Sequence, residues 1–308
     1  MAIYITVDGG TTNTRIYLVR EGQITDSQKL SVGARNGSDA LKAELKSGIS
    51  EILGRNSLKP DNIDRILASG MITSEYGLLA LDHALLPAGP RELQRAMHSA
   101  AFEDISPIPW SFVRGVKSLG DGLCDCDVMR GEETELMGLL GSAEEGALYV
   151  LPGSHSKHVS IDKEGKITSF KTMMTGEFFA AVMQNTILRD AADFEHNELD
   201  RCELLHGFEY CHERGVNEAL FKTRILRNLF GATKEACFSF LLGVVLCDEV
   251  KAILSVPEKT VVIGGQKQFR EALSILLEEY GKKKIISLSD DAVSSSVALG
   301  AVKIYEHK

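Results

Sequence analysis

At 308 residues, 44% hydrophobic and 25% charged, the chain has an ordinary globular composition with room for two cores. A net charge of -9 argues against a general nucleic-acid or membrane-surface binder, so any anionic ligand must be met by local cations. No stretch approaches the roughly 18–20 apolar residues that span a bilayer. The first residues enter a strand pattern directly, without a basic region, an apolar core and a cleavage site. The expectation is a cytoplasmic protein with no nucleic-acid or membrane partner, whose six cysteines are reduced thiols used for packing.

Ile3 to Val7 reads as a β-branched strand ending at Asp8, and Gly9-Gly10 then turns the chain into a second strand over Thr14 to Val19. Consecutive glycines let amides approach an anion, Thr11, Thr12 and Asn13 add short polar side chains, and Asp8 is placed to hold a metal ion through water. The same residues also suit an ordinary polar hairpin turn. They form neither a Walker A loop nor a G-x-G-x-x-G dinucleotide turn. A third strand is expected over Ile24 to Val32, then a helix from Ser38 to about Leu53 with Leu41, Leu45 and Ile49 on its apolar face. Asp64 to Ala68 predicts a buried strand, and Ser69 to Ser74 follows it as a polar loop where α/β proteins place ligands. A short helix over Arg91 to Ser99 and a strand over Trp110 to Val116 come next. Val128-Met-Arg-Gly-Glu-Glu-Thr-Glu-Leu136 then opens a helix that Gly141 stops.

The strand pattern restarts at Ala147 to Leu151, turns through Pro152-Gly-Ser-His-Ser-Lys157 and returns over His158 to Asp162. Two segments that begin with hairpins carrying small polar turns predict a duplicated domain with a cleft between the copies, divided between Gly141 and Gly146. Helices are expected over Gly176 to Leu188, Asn217 to Phe230 and Thr233 to Leu254. The last reads as a core helix, with a subunit interface as the alternative, which leaves homo-oligomerisation open. Thr260 to Ile263 is a strand ending in Gly264-Gly265, and the chain closes with a helix from Gln268 to Tyr280, a strand over Ile285 to Leu288 and a helix from Asp290 to Tyr305. Neither Cys124 with Cys126 nor Cys202, His206, Cys211 and His212 have the spacing of a four-ligand zinc site.

Three glycine turns that follow strands together favour a phosphate-binding site. Arg130, in the first turn of its helix, suits a substrate carboxylate or a phosphate through bidentate contact, and equally suits a pairing with Glu133 or Glu135 on a solvated face. Lys157 is either a phosphate contact or an exposed turn lysine, and His155 and His158 suit hydrogen bonding or packing better than metal ligation.

The motifs Val128-Met-Arg-Gly-Glu-Glu-Thr-Glu-Leu136, Leu151-Pro-Gly-Ser-His-Ser-Lys157, Met174-Thr-Gly-Glu177 and Asp8-Gly-Gly-Thr-Thr-Asn13 resemble those of the 2-dehydro-3-deoxygalactonokinases, within the actin, Hsp70 and sugar-kinase superfamily. The resemblance runs over nearly the whole chain. It implies an α/β protein of two ribonuclease-H-like (actin-like ATPase) domains, 1–141 and 142–308, with an interdomain cleft. It also implies Mg²⁺- and ATP-dependent phosphorylation of the 6-hydroxyl of 2-dehydro-3-deoxy-D-galactonate. Carried over by position, Gly9, Gly10, Thr11, Thr12 and Asn13 form the first phosphate segment, with Asp8 on the metal. Gly153, Ser154, His155, Ser156 and Lys157 form the second, and Gly264 and Gly265 border adenosine. Glu132 takes the place of the base, with Glu133 as its competitor, while Arg35, Asn36, Thr73, Ser74 and Arg130 fall on the sugar side. Glu177 reads as a helix N-terminal acid or a site residue. Rival readings are a kinase for another sugar or keto-deoxy acid and a non-catalytic ATP-binding sensor of the same fold; a carboxylate at Glu132 favours chemistry.

Overall fold

The computed structural model describes residues 2–142, 146–192 and 198–307. The first part contains strands β1 (Ile3–Gly9), β2 (Thr14–Arg20) and β3 (Gln23–Leu30), helix α1 (Ser38–Arg55), and strands β4 (Arg65–Gly70) and β5 (Ala84–Leu85). Helix α2 (Pro90–Ala96), strands β6 (His98–Phe102), β7 (Ser106–Phe112), β8 (Val116–Ser118) and β9 (Asp127–Met129), and helix α3 (Glu132–Leu139) follow. Then come β10 (Leu148–Leu151), β11 (Ser156–Ile161), β12 (Ile167–Met173), α4 (Thr175–Asn185), α5 (Arg201–Arg214), α6 (Val216–Phe230) and α7 (Lys234–Ser255). The chain ends with β13 (Thr260–Ile263), α8 (Lys267–Tyr280), β14 (Lys284–Ser287) and α9 (Asp290–Tyr305).

Two compact units result: Met1–Glu145 with Ile161–Phe170 and Asp290–Lys308, and Gly146–Ser160 with Lys171–Ser289. The expected cut at 141 assigns the last helix to the second domain, whereas packing groups α9 with the first unit. Residues 143–145, inside the expected boundary, lie outside the described ones.

The same strand order occurs twice. The first unit's six-stranded sheet runs β3-β2-β1-β4-β7-β6, and the five-stranded sheet runs β12-β11-β10-β13-β14. In each, a hairpin strand pairs antiparallel with the first strand, which pairs parallel with the strand on its other side. These are the two ribonuclease-H-like domains that the motifs imply.

In the first unit, period-two alternation along β1 sends Ile5 and Val7 into a core with Leu41, Leu45 and Ile49 of α1. It sends Tyr4 to the other face, against Ala298, Ala301 and Val302 of α9. α9 is anchored by Tyr4 Oη donating to Glu306 Oε1 (3.0 Å) and by its close approach to α3. A Cβ on Gly300 would lie 1.9 Å from Thr134 O, and one on Gly138 2.0 Å from Ser296 O. Gly300→Ala is therefore expected to destabilise the protein by about 1–3 kcal/mol through overpacking, outweighing the roughly 1 kcal/mol that alanine gains in helix propensity. A urea midpoint at or above that of the wild type would contradict this.

Strands β5, β8 and β9 and helix α5 have no counterpart in the sequence expectation, and three expected elements differ in extent. Helix α2 is short, and strand β6 occupies its expected end. β7 begins at Ser106 rather than Trp110 and stops at Phe112. Helix α3 starts only at Glu132, because Gly131 sits at φ +112°. In the second unit α7 is a core helix, with Phe238 to Cys247 buried throughout. Among the described residues no helix is long and apolar enough to cross a membrane.

Candidate active site

Asp8 shares the parity of Tyr4 on β1, so its side chain leaves the sheet on the face that carries α9. Three backbone segments converge there. Gly70 ends β4 at φ +83°, where a Cβ would meet Gly9 O at 2.6 Å and Asp8 Oδ1 at 3.6 Å. Gly131 lies against Gly70, its Cβ position 3.2 Å from Gly70 Cα, and Glu132 follows immediately. Burial holds the Asp8 carboxyl above the usual carboxylate range, Arg15 opposes this from 3.5 Å, and the charge of Glu132 adds to the rise. Two carboxylates are thus gathered at the end of β1.

The β1–β2 turn is closed by Gly10 N donating to Asn13 O (2.9 Å). Asn13 Nδ2 donates to Thr12 Oγ1 at 3.0 Å. The following loop backs the turn, with Ala34 N donating to Gly10 O (3.1 Å) and Arg35 N to Thr11 O (2.9 Å). The exposed Thr11 and Thr12 amides have no protein acceptor among the described residues. Asn36 Oδ1 accepts from Gly33 N (3.0 Å), while the Arg35 side chain is exposed, with no partner among the described residues.

The two successive glutamates have different surroundings. Glu133 is fully buried, accepting from Gly131 N (2.7 Å) and Thr134 Oγ1 (3.0 Å). Burial, reinforced by the Glu132 charge, pushes its carboxyl up to about 8. Glu132 is half-buried and accepts from Arg130 N at 3.0 Å. The Arg130 guanidinium donates to Thr73 O (2.8 Å), Thr73 Oγ1 (2.6 Å) and Leu81 O (3.0 Å), with His83 Nε2 at 3.2 Å. Thr73, itself buried, donates to Gly70 O (3.0 Å) and so ties Arg130 to the glycine junction. Ser74 Oγ donates to Met71 O at 2.7 Å. Ser74, Tyr76, Asp82, His83 and Arg130 line a cavity of about 480 Å³, within the usual range for a small-molecule site. Burial first, then the positive charge of Arg130, holds the His83 imidazole below its ordinary value and therefore neutral at pH 7. Nothing in the sequence marks His83, a lone histidine in a loop, or singles out Gly70 from other loop glycines.

In the second unit the other two glycine segments meet. Gly264 N donates to Val150 O (2.9 Å) and Gln266 N to Pro152 O (2.8 Å). Gly265, at φ +64°, approaches so closely that a Cβ would stand 2.2 Å from Pro152 O. A positive-φ glycine beyond the fourth strand thus packs on the hairpin side of the site, as Gly70 does in the first unit. The Met174-Thr-Gly-Glu177 motif supports the turn from below, with Gly176 against Gly153 O and Glu177 N donating to Ser154 O (3.0 Å). Glu177 meets His155 Nε2 at 2.6 Å, both exposed. The amides of Gly153, Ser154 and His155 have no protein acceptor among the described residues. Ser156 and Lys157, by contrast, are buried. The Ser156 hydroxyl donates to Glu249, to which His158 Nε2 also bonds (3.1 Å), and Lys157 Nζ donates to His155 O (3.1 Å).

Asp8 suits a hard divalent cation, which would offset the repulsion from the Glu132 charge. Among the described residues no three His, Cys, Asp or Glu side chains form a metal-binding group. A divalent cation here would therefore need ligands beyond these side chains.

Comparison with known proteins gives the family. The sequence matches the family described as 2-keto-3-deoxy-galactonokinase over residues 8–298. It is 28% identical over 266 residues to the 2-dehydro-3-deoxygalactonokinase of Escherichia coli (strain K12), covering 82% of this chain and 80% of the other. A crystal structure of a candidate 2-dehydro-3-deoxygalactonokinase from Sinorhizobium meliloti superposes with a TM-score of 0.79 at 21% identity, covering 98% of this chain and 97% of that one. The activator of 2-hydroxyisocaproyl-CoA dehydratase from Clostridium difficile, solved with bound ADPNP, shares the fold at a TM-score of 0.54 and 14% identity, over 98% and 93% of the two chains. With nearly all of its length matched, the chain belongs to the 2-keto-3-deoxy-galactonokinase family.

Proposed function

We propose that this protein transfers the γ-phosphoryl group of ATP to the 6-hydroxyl of 2-dehydro-3-deoxy-D-galactonate in the cytoplasm. The observation that carries the reading is the proximity of the Glu132 charge to Asp8 beside a turn whose Thr11 and Thr12 amides have no protein acceptor among the described residues. Phosphoryl transfer needs donors for phosphate oxygens, a carboxylate to take the hydroxyl proton and a second one at the metal. Bound magnesium would neutralise charge on the phosphate chain. Glu132 is the base and Asp8 the metal-side carboxylate; Glu133 holds the start of α3 from inside.

The amides of Thr11, Thr12 and Gly153 to His155 contact phosphate, with Gly9, Gly10 and Asn13 shaping the first turn, Ser156 and Lys157 supporting the second, and Gly264 and Gly265 bordering adenosine. The sugar acid occupies the cavity at Ser74 and Arg130. Arg130, held by Thr73 and Leu81, shapes that cavity and is the cation on its lining, where Glu75 and Asp82 are the acids. Arg35 and Asn36 complete the sugar side, Arg35 bringing the exposed guanidinium that the carboxylate requires.

An ATP-consumption assay with 2-dehydro-3-deoxy-D-galactonate, its C4 epimer and plain aldonic acids tests the reading, with the product's phosphorus position read by NMR. Magnesium-dependent turnover on the galactonate derivative, giving a 6-phosphate, is expected. Preference for another acid would change the substrate; ATP binding without turnover on any of them would identify a sensor instead.

A further inference from the structure

α7 carries one charged residue in its buried middle. Glu249 is completely buried in a helix whose other enclosed positions are mostly apolar, such as Leu246, Val250 and Ile253. Its oxygens are unequally served. Oε1 accepts from both the Ser156 hydroxyl and His158 Nε2, while Oε2 has no partner among the described residues. A buried carboxylate with one bare oxygen is costly to enclose, and apolar replacement of such a group together with its partners is often neutral or favourable, whereas removing the carboxylate alone leaves those partners unsatisfied. Its two partners are consecutive inward-facing residues of β11, and Ser156 is the first residue after the turn that presents the Gly153, Ser154 and His155 amides.

We infer that Glu249 is a positioning residue for the second phosphate turn. By gripping Ser156 and His158 it fixes where β11 begins, and hence the direction in which the three amides point. Ser156 is fully buried, so its hydroxyl acts through this grip rather than by touching a ligand. The inference rests on the assignment of Gly153 to His155 to nucleotide phosphate. Amides turned away from the phosphate oxygens lose their charge-assisted hydrogen bonds to them, so a loose turn should show as weakened nucleotide binding.

The test is calorimetric ATP affinity, independent of turnover, alongside the melting temperature of each variant. Glu249→Leu leaves the buried Ser156 and His158 groups without their acceptor, so it should lower the melting temperature and, measured where the variant is still folded, weaken ATP binding by about tenfold or more. Glu249→Gln retains an acceptor for Ser156 and His158 and should keep affinity within about threefold. Ser156→Ala reads the same contact should Glu249→Leu fail to fold, and should lose affinity by a similar factor. If Glu249→Leu and Ser156→Ala bind ATP as the wild type does, Glu249 does not position the turn. Failure of the wild type itself to bind ATP would instead overturn the phosphate assignment.

Discussion

Replacing Glu132 by glutamine is expected to lower kcat by about 10²–10⁴-fold while leaving ATP affinity within about threefold of the wild type. Glutamine is nearly isosteric and keeps an oxygen for Arg130 N, so the start of α3 should stay in place. What it cannot do is take a proton from an attacking hydroxyl. Neighbouring carboxylates do not substitute readily. Glu133 is sealed inside the first unit with both oxygens occupied, and Asp8 is assigned to the metal side. Steady-state rates at saturating substrate, combined with calorimetric nucleotide binding, separate the outcomes. A Glu132→Gln enzyme retaining more than a tenth of wild-type kcat would move the base elsewhere, and a loss of ATP affinity equal to the loss of rate would make Glu132 a structural residue.

How much of this is legible in sequence depends on how local the signal is. β1, β2 and α1 lie close to where alternation, glycine turns and helical spacing place them, because each of those signals acts within a few residues. β7 is harder, since Pro107 and Pro109 argue against a strand inside a sheet; the irregular register between Ala100 and Phe102 of its partner accommodates them. α5 has a local signal in Asp200, whose side chain caps the helix by accepting from Glu203 N, but its mixed Cys and His content draws attention to metal spacing instead. The placement of α9 has no local signal, because it follows from the close approach of Gly300 to Thr134 across 166 residues of sequence.

The site divides in the same way. Turn amides and the Glu132–Glu133 pair can be named from motifs, since a motif records which residue types recur. Burial then separates roles that the motif leaves together. Thr73 and Ser156 have polar side chains in loop or turn motifs, yet both are enclosed and spend their hydroxyls on protein partners. Arg130 joins neither Glu133 nor Glu135 in an ion pair but spans Thr73 and Leu81. Those partners lie 57 and 49 residues away in sequence, beyond any spacing rule.

Glu133→Gln is expected to change the pH dependence of stability rather than abolish transfer. The folded protein raises the Glu133 carboxyl from 4.5 to about 8, mainly through burial and then through the Glu132 charge. Between those two values the native state holds a proton that the unfolded chain releases, so stability falls as pH rises. The contribution is fully present below the unfolded value and lost as pH climbs through about 8. Glutamine carries no titrating proton and removes this part of the slope. It also leaves an amide donor near Gly131 N, a pH-independent cost of about 1–3 kcal/mol where that donor finds no acceptor. The variant should therefore be less stable than the wild type near pH 5.5 and recover relative to it by pH 8.5, as read from urea midpoints at the two pH values. Parallel pH curves would mean that Glu133 stays ionised in the folded state, held by Gly131 N and Thr134 Oγ1 more strongly than burial opposes it. Activity supplies the second arm: transfer within about tenfold of the wild type in Glu133→Gln, beside a far larger loss in Glu132→Gln, assigns proton transfer to the exposed member of the pair and helix support to the enclosed one.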